Sequence, residues 1–184
     1  VLGAAGGMQD GIDHYVEVAE QPTAVEAIAK AVAATCRAAG FQVLLISDMD
    51  AWLRRHAVFV TAIAGALYMA DGDPSRLASH TAGLRTFILG VREGWAALDK
   101  LKVAAAPLPL RAIFLWVPLP FAAMYWRRLV GSSRGEYYFA RHTRPSAKDM
   151  AALADDLRAA CPGKPMPSVR TLSAPAALPA APPP

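Results

Sequence analysis

Cysteine is scarce: the chain has two in 184 residues. Cys36 sits inside a helical pattern and Cys161 near a helix end, with no C-x-x-C between them, so neither a disulfide framework nor a metal site is expected. Such usage points to a reduced, cytoplasmic compartment. G-x-G-x-x-G, the P-loop, H-E-x-x-H and G-x-S-x-G are also missing, which removes the best-marked routes to nucleotide, phosphate, zinc and serine chemistry. The opening residues, VLGAAGGMQDG, contain no initiator Met and no basic segment leading into an apolar core. No signal peptide is expected there, and the chain reads as a piece of something longer. β-Branched residues are thin beside alanine and leucine, which tilts the composition toward helix.

Long apolar runs are scarce too. AIFLWVPLPFAAMYW, residues 112–126, is uncharged but broken by Pro118 and Pro120, and it falls short of the roughly 20 residues needed to span hydrocarbon. A core segment is the expectation and membrane insertion is not, although the run leaves a membrane-associated helical protein as a third reading. What the chain does have is apolar bulk. At 54% hydrophobic it can bury the core of one ordinary domain with part of a second attached. A net charge of +4 suits an anionic small molecule without requiring nucleic acid.

Organisation follows from the changes of period. In HYVEVAEQ, Val16 and Val18 share a face opposite Glu17, a strand signal, and the surrounding GAAGG and QDG read as turns. Thr23 and Glu26 have capping-box spacing at the head of a helix that Gly40 stops. FQVLLIS then fits a buried strand. This strand–helix–strand ends an α/β layer at about residue 47, and almost everything after it is helical. Trp52, His56, Phe59, Val60, Ile63 and Leu67 define one face of the next helix, while Val58, Ala62 and Gly65 make the other nearly as apolar, the pattern of a central helix surrounded by others. Asp73 and Pro74 open a second long helix that carries Leu77, Leu84, Ile88, Val91, Trp95 and Leu98 and ends near Lys100–Lys102, where cations meet the negative end of the helix dipole. Two short helices follow, the second ending in YWRRLVGSS, then a loop over 131–145. A last helix from Ser146 has Met150, Leu153 and Leu157 inward. The alanine–proline tail, 171–184, has no pattern and is expected to be disordered.

Several polar residues stand at odd places. Arg54, Arg55 and His56 open the central helix, where cations oppose the helix dipole and gain from a nearby anion. The ordinary reading puts both arginines in water and hydrogen-bonds His56 under the apolar face, with Asp48 and Asp50 as local anions. Asp149 is explained by the capping-box spacing of Ser146 and Asp149. Ser132 and Ser133 start a loop. YWRR and EYYFARH could form a stacking surface for single strands, but such aromatics more often belong to a core.

The order of the pieces carries a resemblance. QPT before a capped helix, AAGFQVLLISDMDAWLRRHAVFVTAIAGAL, a long helix with VREGWAAL, FLWVPLPF and YWRR, and KDMAALADDL before PMPS together resemble the ketopantoate reductase family over residues 1–170. The resemblance implies a mainly α fold: a multi-helix bundle like the 6-phosphogluconate dehydrogenase C-terminal domain, over 48–170, after a small α/β remnant of a Rossmann domain, 1–47. It implies NADPH as cofactor, with the glycine-rich fingerprint upstream of Val1, and a 2-keto acid as substrate, ketopantoate reduced to pantoate in pantothenate biosynthesis. It further implies self-association as a homodimer through the helical domain. The family's catalytic lysine lies two residues after a tryptophan, and Trp52 places Arg54 there. The asparagines that follow correspond to Val58 and Ala62. The substrate-binding glutamate corresponds to Asp149, and a loop serine to Ser132 or Ser133. A guanidinium stays charged, so Arg54 would stabilise the alkoxide left by hydride delivery and hold a carboxylate, while water or substrate-side His56 supplied the proton. The alternative is a non-catalytic helical dimerisation or interaction module derived from that family.

Overall fold

A computed structural model describes residues 2–4, 15–19, 25–104 and 108–161. The proposed tail 171–184 and Thr23 of the first capping box lie outside the described residues. The chain is mainly helical and divides into two compact units, Val1–Leu53 and Arg54–Pro184.

Among the described residues, the first unit holds a small three-stranded sheet and the helix that crosses between two of its strands. β1 (Leu2–Ala4) pairs antiparallel with β2 (Tyr15–Ala19), and β2 pairs parallel with β3 (Gln42–Ile46), Val16 opposite Val43. β1 falls where the sequence suggested turns, since antiparallel pairing to β2 supplies hydrogen bonds that a local reading of GAAGG misses. The parallel β2–β3 pair is joined through α1 (Val25–Ala38), as a parallel pair requires a crossover. α1 buries Ala29 and Ala33 and packs on both β2 and β3. Gly40, at φ +88°, ends it: the Phe41 N–H donates to Cys36 O and the Gly40 N–H to Arg37 O, the double bond of a Schellman end. β3 is not the covered strand that FQVLLIS predicts. Gln42 and Leu44 are exposed, and its other residues are only half-buried.

α2 (Met49–Tyr68) runs from the first unit into the second. Every residue from Thr61 to Leu67 is buried, so this stretch is the centre of the helical unit. Thr61 keeps its hydroxyl satisfied there by donating to Ala57 O. Nearer the start of the helix, Arg55 and Val58 are buried while His56, Phe59 and Val60 are only half-buried. The more deeply buried side of these turns is therefore rotated by one helical step, roughly 100°, from the face that large side chains mark in the sequence. α2 ends as α1 does, with Asp71 at φ 57° and the Gly72 N–H donating to Leu67 O.

The second long helix of the sequence reading is two helices. α3 (Pro74–Ser79) starts at Asp73, whose carboxylate accepts from the Ser75 and Arg76 N–H groups at 2.7 and 3.3 Å. His80, with ψ 83°, breaks the run before α4 (Thr81–Lys100). Its ring folds over Gly83, where a Cβ would stand 2.8 Å from His80 Nδ1. α4 presents Leu84, Phe87, Ile88, Val91, Trp95 and Leu98, all buried. Gly94 lets it meet α2 closely, a Cβ there falling 2.5 Å from Val58 Cγ1.

Two π-helical turns follow. α5 (Leu108–Arg111) continues into the first, Ala112–Trp116, and Arg92 of α4 donates to Phe114 O and Val117 O at its end. Pro118 then starts α6 (Leu119–Val130). The segment read as a loop over 131–145 is mostly helical: α7 (Ser133–Gly135), a π turn Glu136–Ala140, and α8 (Arg141–Thr143). Gly135 makes that possible, since a Cβ there would overlap Val130 O. α9 (Ala147–Ala160) completes the described residues up to Cys161. Phe59, Phe87, Phe114 and Trp126 meet in the core, with Trp126 centroids 5.1 Å from both Phe87 and Phe114. No helix among the described residues is long and apolar enough to cross a membrane.

Candidate functional site

Arg54, Arg55 and His56 begin the helical unit, and the structure gives them three different settings. Arg55 is buried, contrary to the expectation that it lies in water. Its guanidinium donates to Asp99 Oδ1 at 2.6 Å, Val103 O at 2.7 Å, Ala104 O at 2.8 Å and Trp95 O at 3.2 Å. Its own carbonyl accepts from Trp95 Nε1 at 3.1 Å. These acceptors are the Trp95 carbonyl and Asp99 carboxylate in the last turns of α4 and two carbonyls just after it, at the negative end of the helix dipole. Arg55 is therefore a cap on α4 supplied by another helix. The cation that looks unfavourable at the start of α2 is favourable at the end of α4.

Arg54 points elsewhere and is exposed. His56 is half-buried, with its ring 6.2 Å from that of Phe59. Burial lowers its pKa below the ordinary 6.5, so the imidazole is neutral near pH 7. A neutral imidazole can donate one N–H bond but is a poor proton source, which leaves water as the better acid in this region.

The other predicted residues lie toward the far end of α2. Tyr68 donates its phenol to Thr143 O at 2.7 Å. Its pKa is raised by burial first and then by the negative charge of Asp149. Arg144 ties the same region together, donating to Gly72 O at 3.0 Å and to both carboxylate oxygens of Glu136 at 2.5 and 2.8 Å. Arg54 and Tyr68 are separated by 14 positions on one helix, about 21 Å along its axis at roughly 1.5 Å per residue. The charge of Asp149 acts on Tyr68, near the end of α2 away from Arg54. The expected capping box is also absent: Ser146 makes no side-chain capping bond, and Asp149 is exposed. Ser132 and Ser133 are exposed at the end of α6, where the Ser132 hydroxyl is turned back onto Leu129 O at 2.7 Å.

Val58 and Ala62, the positions that the resemblance gives to asparagines, are 4% and 3% exposed and belong to the hydrophobic core. The residues that sequence reasoning missed are Asp99, Tyr68, Glu136 and Arg144. A signal for Arg55 did exist: Ala51, Arg55, Val58 and Ala62 recur at helical spacing and share one side of α2. Among the described residues no group of three or more His, Cys, Asp or Glu side chains could hold a metal ion. Compared with protein-family models, curated proteins and solved structures, the chain matches none of them.

Proposed function

We propose that the chain is the C-terminal portion of an NADPH-dependent reductase of a 2-keto acid, of the ketopantoate reductase type. In this reading residues 1–47 belong to a Rossmann domain and the helical unit to a bundle like the 6-phosphogluconate dehydrogenase C-terminal domain. The observation that carries it is the place of Arg54: two positions after Trp52, it is exposed at the first residue of the helical unit. This is the position that the resemblance assigns to a catalytic lysine.

NADPH, when bound, supplies the hydride; the G-x-G-x-x-G that would cradle its pyrophosphate is not in this chain. Arg54 would hold the substrate carboxylate or the developing alkoxide by charge-assisted hydrogen bonds. It cannot give up a proton near neutrality, and His56 is held neutral, so the proton comes from water. This reading gives Asp149 no role in the step, since its charge acts on Tyr68.

The test is NADPH oxidation by the complete protein, upstream sequence included, against a panel of 2-keto acids with ketopantoate among them. Activity is expected to fall about 100- to 1,000-fold in Arg54→Ala, the cost of removing one oxyanion donor, and to survive in Asp149→Asn. Absence of turnover with every keto acid would end the reading, as would an unaltered Arg54→Ala enzyme.

A second reading, a helical dimerisation or interaction module without catalysis, is favoured by the burial of Val58 and Ala62 in the core, where the resemblance puts asparagines. A complete protein that is inert toward NADPH yet assembles as a homodimer through this unit would establish it.

A further inference from the structure

From Lys100 to Gly135 the sequence contains Lys100, Lys102, Arg111, Arg127, Arg128 and Arg134 and not one carboxylate. This segment holds more positive charge than the net +4 of the whole chain, so the remainder is net acidic. The same segment carries an apolar surface. Leu115, Trp116, Phe121, Met124 and Tyr125 are all exposed, Trp116 and Phe121 each at 61%.

Their placement follows from two elements. α6 buries Ala122, Trp126 and Val130 on one side. Phe121, Met124, Tyr125 and Arg128 are spaced at three and four residues and share the opposite side. The preceding π turn ends by leaving Leu115 and Trp116 outside, with the Arg111 guanidinium 5.9 Å over the Trp116 ring. A long apolar face bordered by cations is thus displayed by a helix whose other face is anchored in the core.

We infer that this face is a peripheral docking surface for an anionic lipid bilayer, with Trp116, Phe121 and Tyr125 entering the interfacial zone and Arg111 and Arg128 meeting lipid phosphates. Trp and Tyr favour that zone because each pairs an apolar body with a polar edge, and neighbouring basic residues add attraction to anionic headgroups. A second copy of the chain fits less well, since a two-fold contact would gather Arg111 and Arg128 of both copies into one interface with no carboxylate in the segment to compensate. Side chains that project at 61% exposure also suit a fluid interface, which needs no complementary groove. Docking of this kind is independent of whether the chain is a reductase.

The full chain is sedimented with phosphatidylcholine vesicles and with vesicles that also contain phosphatidylserine. Binding is expected only with phosphatidylserine, weakening as salt is raised. Arg128→Gln should reduce the partition about fivefold, and Phe121→Ser and Trp116→Ser should each abolish most of it while leaving the thermal melt unchanged, because these side chains are exposed. Equal partition on the two vesicles, or none on either, overturns the inference. So does concentration-dependent self-association that Phe121→Ser removes, which would make the face a contact between copies. Equally tight binding to soluble polyglutamate, unaffected by Trp116→Ser, would assign the cations to an acidic protein partner instead.

Discussion

Replacing Arg55 by Met isolates the worth of the charge that bridges α2 and α4, since methionine keeps the apolar stem and removes the guanidinium. Four acceptors lose their donor, but not equally. Asp99 is 60% exposed at its side chain and Ala104 is exposed, so water replaces the arginine at both. Val103 is half-buried and Trp95 is buried, and bonds from a charged donor to such carbonyls are worth roughly 1.5–3 kcal/mol each. Losing these two, partly offset by no longer desolvating the guanidinium, predicts destabilisation of about 3 kcal/mol. Asp99→Asn should cost no more than about 1 kcal/mol, because its partner retains three carbonyls and the carboxylate is mostly in water. Urea unfolding of the full chain, followed by tryptophan emission, measures both. The Arg55→Met cost should persist in about 0.5 M salt, where an exposed ion pair would be screened. An Asp99→Asn loss as large as that of Arg55→Met, or an Arg55→Met loss that vanishes in salt, would mean that Coulomb attraction rather than helix capping holds this junction.

Gly94→Ala should destabilise by roughly 1–3 kcal/mol through overpacking against Val58, and Val58→Ala in the same chain should recover most of it; additive losses in the double variant would refute the contact. Trp126 Nε1 is buried without a hydrogen-bond partner, so Trp126→Phe should change stability by less than about 1 kcal/mol, the relieved donor offsetting the lost volume, while Trp126→Ala costs about 3–5 kcal/mol. The unfolding midpoints of the two variants decide it, and a Phe variant as unstable as the Ala variant would show that the indole nitrogen is satisfied. His56 has a folded pKa below 6.5, so the unfolded chain takes up its proton first and stability falls as pH drops from about 6.5 toward the folded value. His56→Gln should flatten the stability–pH curve in that window, and an unchanged slope there would exclude His56 as its source.

The parts legible in the sequence were those governed by short-range periodicity. The α1 stop at Gly40, the Asp73–Pro74 start of α3, the apolar stripe of α4 and the all-round burial of Thr61–Leu67 each depend on residues within a few positions of one another. What escaped depends on partners distant in the chain. His80 breaks a continuous apolar period because its ring has Gly83 to rest on. The 131–145 segment is helical because Gly135 can lie against Val130 O, which glycine and loop-forming serines nearby disguise. At the candidate site, residue type misled where spacing did not: two adjacent arginines look alike, yet one helical step of about 100° puts Arg55 against the end of α4 and leaves Arg54 exposed.

That step also bears on what the opening of α2 can do. A buried guanidinium with four of its five N–H groups bonded has little to offer a substrate, and the anion-binding role proposed for this end goes to Arg54, the exposed cation beside it. Arg55 nevertheless matters to such a role, because it fixes the rotation of α2 about its axis by holding the end of α4. If the two positions are coupled in this way, Arg55→Lys, which keeps one charge but cannot cap several carbonyls, should weaken keto-acid reduction by the complete protein mainly through kcat, with Arg54 untouched. A stability loss without any kinetic effect would confine Arg55 to folding and leave Arg54 to be oriented by the helix alone.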